Sequence, residues 1–441
     1  MTHLKMFEEQ KISKLLLKLA LPAIMSMLVV SMYNIVDTLF ISKSIGIDAL
    51  AGVNLVFPIQ LLIFTIAITI GIGASTLISV ELGKNNISKA ETILGKSLAL
   101  SIIIGLFIMV LFLVFQDNII QLLGASGDSF LFAKDYLSII LFGTLFTFIN
   151  MSLNPIVRST GLAKLILIVV VSSSILNIFL DYVFINRLLL GTFGAGLATV
   201  ISQLLITIIL LYLFLRNKIP IKLKFNKFFV DSKLSLKILK IGLPTFFKHS
   251  SFFVMVFFAN ILILKEVGLM GISAFGISQK LIMLVFMPAN GLVQGMIPIT
   301  GYSFGAKLTK RLKEAFHLTI KYATTILLIT SLLVILFAPQ LSVFFTKDAS
   351  LIEMTTKTIR VLFLGCVFAG YTIVAGSYLQ SIKKPFVSAF ISALRLLILF
   401  VPIVLLFSHF WSWEGILWAF PFIDLISLPI TYLIMRRYND I

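Results

Sequence analysis

Apolar residues run along this chain in long blocks, broken at intervals by short clusters of charge, glycine, proline and asparagine. A helix needs about 20 apolar residues to cross a bilayer. Twelve blocks of that size lie near residues 15–40, 51–80, 92–115, 132–154, 163–186, 194–215, 238–264, 273–301, 316–338, 355–380, 386–408 and 414–435. Unpaired backbone is not tolerated in hydrocarbon, and the alternating ten-residue pattern of a membrane barrel is missing from the sequence. The pattern therefore predicts an all-α polytopic membrane protein.

Composition agrees. Over 441 residues, 59% are apolar and only 12% charged, with a mean hydropathy of +1.10. Soluble domains carry about 25% charged residues, so a string of soluble domains is excluded. The first block contains Pro22 and is too long for a signal-peptide core; with no small-residue cleavage site near it, an uncleaved first span is expected. The lone cysteine, Cys366, allows no internal disulfide and no cysteine-based metal site.

A net charge of +18 would suggest nucleic acid in a soluble protein, but here the distribution of the cations decides. Both tails and the even-numbered turns hold 26 Lys and Arg, whereas the odd-numbered turns hold six: Lys43, Lys134, Arg187, Lys265, Lys347 and Lys357. The excess places both termini in the cytoplasm, with the chain in the inner or plasma membrane. Residues 216–240 carry eight cations against Asp231 alone. This stretch reads as a solvated cytoplasmic linker attracted to anionic lipid, and it has no aromatic platform for nucleic acid.

The chain also repeats itself. A shift of 222 residues lays Leu21-Pro22 on Leu243-Pro244, Gly46 on Gly268, Gly73 on Gly295, Gly83 on Gly305, Phe115 on Phe337 and Gly143 on Gly365; with one residue lost, Gly194 falls on Gly415. Six spans per half make the repeats parallel, two six-helix bundles related by a pseudo-two-fold axis along the membrane normal, an arrangement suited to alternating access. The expected organisation is a tail over 1–14, an N-lobe over 15–215, the basic linker over 216–237, a C-lobe over 238–435 and a tail over 436–441.

Other chemistries lack their residues. Gly95-Lys96-Ser97 has Ala90 where a phosphate-binding loop needs glycine. Gly301-Tyr-Ser-Phe-Gly305 matches a nucleophile elbow in letters, but it sits at a span end and repeats the Gly83 turn. Four scattered histidines form no metal cluster. No cofactor and no enzymatic step are expected.

Three acidic residues fall inside spans: Asp37, Asp181 and Asp424. A charge at membrane depth costs a few kcal/mol and belongs in a wet or protein-lined interior, where a carboxyl holds its proton more tightly than in bulk water. Asn34 and Asp37 are three apart and Asn177 and Asp181 four apart, so each pair shares a helix face. With Thr199 of the sixth span, these side chains suit either a proton relay or a bound Na⁺. The second half has no equivalent, since Asp37 falls on Ala259 and Asp181 on Pro402.

That half instead carries Lys248, His249, Arg395 and Asp424 at or near membrane depth. Two readings stand for Asp424, an ion pair with Arg395 or a contact with a cationic substrate. Two stand also for Lys248 and His249, the cavity side or snorkelling to the interface. Met255, Phe258, Met283, Phe286 and Met287 read mainly as packing, and some of them, Met255 and Met287 among the candidates, could line a forgiving apolar cavity.

Several segments together resemble the MATE (multidrug and toxic compound extrusion) family, in its MepA-like or DinF-like bacterial branch. Leu21-Pro22, Asn34-Ile-Val-Asp37-Thr38 and Ala49-Leu-Ala-Gly52-Val53 resemble the first span and turn of that family. Asn177-Ile-Phe-Leu-Asp181 is similar to its fifth span, Gly194-Ala-Gly-Leu-Ala-Thr199 to its sixth, and Gly291-Leu-Val-Gln-Gly295 with Pro298 to its eighth. The resemblance implies the MATE fold and antiport of organic, often cationic compounds against H⁺ or Na⁺. It also implies a first-lobe cation site of Asp37, Asn177, Asp181 and Thr199, and a first span that bends at Pro22. Where the NorM-type branch has acidic residues in its seventh and tenth spans, this chain reads Thr245-Phe-Phe-Lys248-His249-Ser250 and Leu379-Gln-Ser-Ile-Lys383-Lys384, so ion coupling is expected in the first lobe.

The expected function is thus multidrug efflux by a monomer in contact with membrane lipids, with H⁺ favoured as the coupling ion because a compact acid pair beside Pro22 can act by protonation alone. A flippase for lipid-linked precursors is the alternative, and a membrane-embedded lipid transferase a remote one.

Overall fold

The computed structural model describes residues 2–125, 127–228 and 231–438. The helices are α1 (Thr2–Glu9), α2 (Ile12–Ser44), α3 (Ile47–Gly83), α4 (Ile87–Val114), α5 (Gln116–Leu122), α6 (Asp128–Ser159), α7 (Ala163–Asp181) and α8 (Gly191–Leu215) in the first half. The second half has α9 (Ser232–Gly305), α10 (Thr309–Leu336), α11 (Ala338–Phe345), α12 (Ala349–Ser381), α13 (Pro385–Ala393) and α14 (Phe400–Arg436). Ten helical runs are long and apolar enough to span a bilayer. Two of them are double: α9 breaks at Gly268, and the run from Pro385 to Arg436 breaks at Trp411 and Ser412. Twelve spans result, and no strand occurs among the described residues. Outward side chains such as Met32, Phe107 and Leu336 are exposed, which in a bilayer places them against lipid.

The repeat is written in the backbone as well as in the sequence. Gly46 and Gly268 both have positive φ (130° and 68°), end the first span of their repeat, and lie 222 residues apart. Without a Cβ, glycine enters this region at little steric cost. Asn85 and Lys307 share φ 58° at the same spacing, as do Gly161 (89°) and Lys383 (62°). The short helices α5 and α11 also begin 222 residues apart.

The chain forms two compact units. The first comprises Met1–Glu9 and Leu21–Gly242, the second Gln10–Ala20 and Leu243–Ile441. Both changeovers therefore fall just before the repeated Leu-Pro, and the opening turns of α2 and of α9 each belong to the other half's unit. Close approaches within each unit show why. A Cβ on Gly242 would stand 2.1 Å from the Thr69 carbonyl oxygen in the first unit, and one on Gly295 would stand 2.8 Å from the Ala20 nitrogen in the second.

Small residues and hydrogen bonds hold the first unit together, as expected where lipid gives no hydrophobic drive for helix association. In α3, a Cβ on Gly71 would stand 1.9 Å from the Met151 carbonyl oxygen of α6. Between α6 and α8, Asn150 Nδ2 donates to the Gln203 carbonyl at 2.9 Å, Thr207 Oγ1 to Asn150 Oδ1 at 2.9 Å, and Thr147 Oγ1 to Gln203 Oε1 at 2.8 Å. In the second unit, Phe275, Phe363 and Phe400 are fully buried, and Ser388 Oγ of α13 donates to the Gly376 carbonyl at 2.6 Å.

The segment between α8 and α9 departs from the solvated linker that its composition suggests. Ile219 and Ile221 are buried, and the Lys222 amide donates to Glu91 Oε1 at 3.2 Å. Lys224 pairs with Glu91 at 2.6 Å, Lys227 Nζ donates to the Ser88 carbonyl at 2.8 Å, and Asp231 pairs with Lys96 at 2.6 Å. Two of the cations, Lys224 and Lys227, have specific partners on α4, which composition alone does not reveal.

Candidate functional site

Asp181 is the last residue of α7, and a π-helical turn, Tyr182–Arg187, follows it directly. Such turns are rare and often mark functional positions. Asn177 stands one turn earlier on the same face. Asp181 is fully buried and Asn177 is 2% exposed, yet neither oxygen of Asp181 and neither polar atom of the Asn177 side chain has a hydrogen-bond partner. On α2, Asp37 is buried and its Oδ1 is likewise unpartnered. Asp37 and Asp181 lie within electrostatic reach of each other.

Other buried side chains leave one polar atom without a partner, but here five such atoms gather on three neighbouring side chains. Buried polar groups are nearly always satisfied, and each one left unmade costs roughly 1–3 kcal/mol. The donor set is chemically coherent: carboxylates and an amide oxygen accept a proton or coordinate a hard monovalent cation. Among the described residues, no cluster of three or more His, Cys, Asp or Glu that would hold a metal ion is present.

Neighbouring elements complete the surroundings. Ser173 Oγ of α7 donates to the Ser202 carbonyl of α8 at 2.8 Å, which registers two consecutive, oppositely running helices. One turn toward the end of α7 is then one turn toward the start of α8, which puts half-buried Thr199 at about the level of Asn177 along the helix pair. Ser202 Oγ is itself buried and unpartnered. Tyr33 and Tyr136 lie within electrostatic reach of both aspartates, and Gln60 bonds the Tyr136 hydroxyl. Asn34, grouped with Asp37 by spacing, is exposed and donates to the Val30 carbonyl of its own helix at 2.8 Å. Sequence reading missed Tyr33 and Tyr136. Only Tyr33, one turn before Asp37, had a legible signal.

Pro22 is internal to α2, where it removes a backbone donor and its ring crowds the preceding turn. Ser26 Oγ donates back to the Pro22 carbonyl at 2.7 Å, a second device that bends helices.

In the second unit Arg395, on a π-helical turn at Leu394–Ile398, makes two hydrogen bonds to Asp424 of α14: Nε to Oδ1, and Nη2 to Oδ2 at 3.2 Å. Its guanidinium lies 5.6 Å from the centre of the Phe286 ring. Lys248 Nζ donates to Asn290 Oδ1 at 2.7 Å. His249 and Met287 are half-buried, and Met255 is buried.

A duplicated bundle of membrane-spanning helices, with unsatisfied carboxylates buried in one half, is the design of a membrane transporter. The MatE family model matches residues 22–183 and again 244–406, two stretches that begin one repeat apart. The chain belongs to the MatE family and is a transporter, not an enzyme. It is 24% identical over 438 residues to the multidrug export protein MepA of Staphylococcus aureus (strain N315), covering 98% of this chain and 96% of that protein. MepA of Staphylococcus saprophyticus is also 24% identical, over 434 residues, with the same coverage of both chains. Among solved structures, a MATE protein in complex with MaL6 superposes with TM-score 0.94 at 25% identity, covering 100% of this chain and 99% of that one. An outward-facing multidrug resistance transporter of the family superposes with TM-score 0.93 at 26% identity, covering 98% and 97%.

Proposed function

We propose that this protein exports small organic compounds, often cationic ones, by antiport against H⁺ or Na⁺. The two bundles alternate access to the sides of an inner or plasma membrane, and the protein works as a monomer with both termini cytoplasmic. The lobes are those drawn from the sequence, joined by the segment over 216–237. Likeness to multidrug export proteins supports the substrate class.

The observation that carries the coupling role is the set of orphaned atoms on Asp37, Asn177 and Asp181. A proton placed on either carboxyl creates an O–H donor for an acceptor such as Asn177 Oδ1 and removes a buried negative charge. Proton loss restores that charge and its demand for donors or a cation. Each state thus favours a different packing of α2 against α7, and Pro22 with Ser26 gives α2 a place to bend. A Na⁺ ion would use the same carboxylates with the oxygens of Asn177 and Thr199. H⁺ is the preferred ion, because a compact acid pair beside Pro22 can act by protonation alone.

The test is efflux of a fluorescent organic cation from energised vesicles under a pH gradient or a Na⁺ gradient. The parent should respond to the pH gradient, whereas Asp37→Asn and Asp181→Asn should insert normally and fall to the protein-free background. Efflux unchanged by both substitutions would sink the reading. A precursor flippase finds less support: of the cations inside the second unit's spans, Arg395 is already committed to Asp424.

A further inference from the structure

The charges buried in the second unit do not balance. Arg395 and Asp424 satisfy one another through two hydrogen bonds. Lys248, half-buried in the span that opens α9, has no such partner, and its ammonium donates to the neutral amide oxygen of Asn290. The amide nitrogen of Asn290 is held in turn by the Phe286 carbonyl at 3.0 Å. The charged group within electrostatic reach of Lys248 is another cation, Arg395. An ammonium offers three donors, and a charge at membrane depth without a counter-charge is disfavoured. Snorkelling does not relieve this, because the bond to Asn290 turns the side chain toward the adjoining span.

An anion beside Lys248 would remove the imbalance. The surroundings narrow its chemistry. One ammonium and one amide suit a single carboxylate rather than a pyrophosphate, since the neighbouring guanidinium is engaged by Asp424. Met287, half-buried and three residues before Asn290, supplies a thioether, a surface that accepts an apolar body. We propose that Lys248 is a substrate-recognition residue of the second unit, which binds the carboxylate of amphiphilic organic acids and zwitterions, with Asn290 holding the ammonium in place. Nothing in the first unit's aspartate site performs this task. The two charge systems divide the work: ion coupling in one half, selection of acidic substrate groups in the other.

This inference rests on the export reading but is tested without a gradient. Rhodamine 110 carries a free carboxyl, and rhodamine 123 is its methyl ester. Fluorescence anisotropy with the purified full-length protein in uncharged detergent measures the affinity for each dye. A charge-assisted hydrogen bond should make the acid bind about tenfold more tightly than the ester. Lys248→Met should abolish that preference, and Lys248→Arg should keep most of it. Equal affinity of the parent for the two dyes overturns the proposal with no variant needed, as does a preference that survives Lys248→Met. Acid preference without gradient-driven efflux would instead sink only the antiport reading.

Discussion

Asp181 has no exposed surface and no hydrogen-bond donor on either oxygen, although Asn177 stands one turn away with its own amide unpaired. Spacing revealed that the two share a face, because helical periodicity alone fixes it. That both are buried and unsatisfied depends on α8 and α2 closing around them. Spacing served Asn34 less well, since three residues of separation from Asp37 leave room for opposite edges of one face, and the side chain is exposed with its amide donating to Val30. Arg395 and Asp424 are the contrasting case, a buried pair with each partner committed. Removing one side of such a pair costs roughly 3–5 kcal/mol. Asp424→Asn should therefore lower the thermal unfolding midpoint in detergent well beyond an exposed control such as Glu414→Gln; equal midpoints would mean that the pair is not structural. Gly71→Ala is expected to destabilise by about 1–3 kcal/mol, because the new methyl group meets the backbone of Met151 rather than a flexible side chain. The same measurement checks it.

At the scale of elements, two features organise the chain. The first is the break at Gly46 and Gly268, which ends corresponding spans with positive φ. The glycines were visible in the sequence, and their shared offset marked them as structural. The second is the docking of the segment before α9 onto α4, which charge counting did not reveal, because Glu91 and Lys96 are distant in sequence and carry no motif. Asp231 accepts from Lys96 Nζ at 2.6 Å and from the amides of Leu234 and Lys233, and the Lys96 bond does most to hold its carboxyl below the usual carboxylate range. A depressed folded value means that the pair's contribution is complete above the unfolded carboxylate pKa of about 4 and is lost as pH falls toward the folded value. The parent should thus lose thermal stability as pH falls below about 4 more steeply than Asp231→Asn. Parallel curves would show that the contact does not hold the segment down.

For the whole molecule, duplication and charge asymmetry act together. Twelve spans form from two copies of one plan, but the unsatisfied acids belong to the first copy and the unbalanced ammonium to the second. An even number of spans returns the chain to its starting side, and we propose from the excess of Lys and Arg in the tails and even-numbered turns that this side is the cytoplasm. Green fluorescent protein fused at either terminus should therefore fluoresce in bacteria, and alkaline phosphatase fused at either should stay inactive. An active phosphatase at one end would overturn the even count or the orientation.

The sequence by itself determined the membrane as solvent, the number of spans and the internal repeat, since hydropathy, basic turns and the spacing of Gly and Pro are local or periodic properties that survive without contacts. It also singled out Asp37, Asn177 and Asp181, because polar groups stand out against an apolar background. Tertiary structure alone decided which polar groups are satisfied. It married Arg395 to Asp424, left Lys248 facing a neutral amide, exposed Asn34, and brought Tyr136 within electrostatic reach of the acids. Hydrogen bonding depends on what packs across from a residue, and that partner lies one or more helices away in the chain.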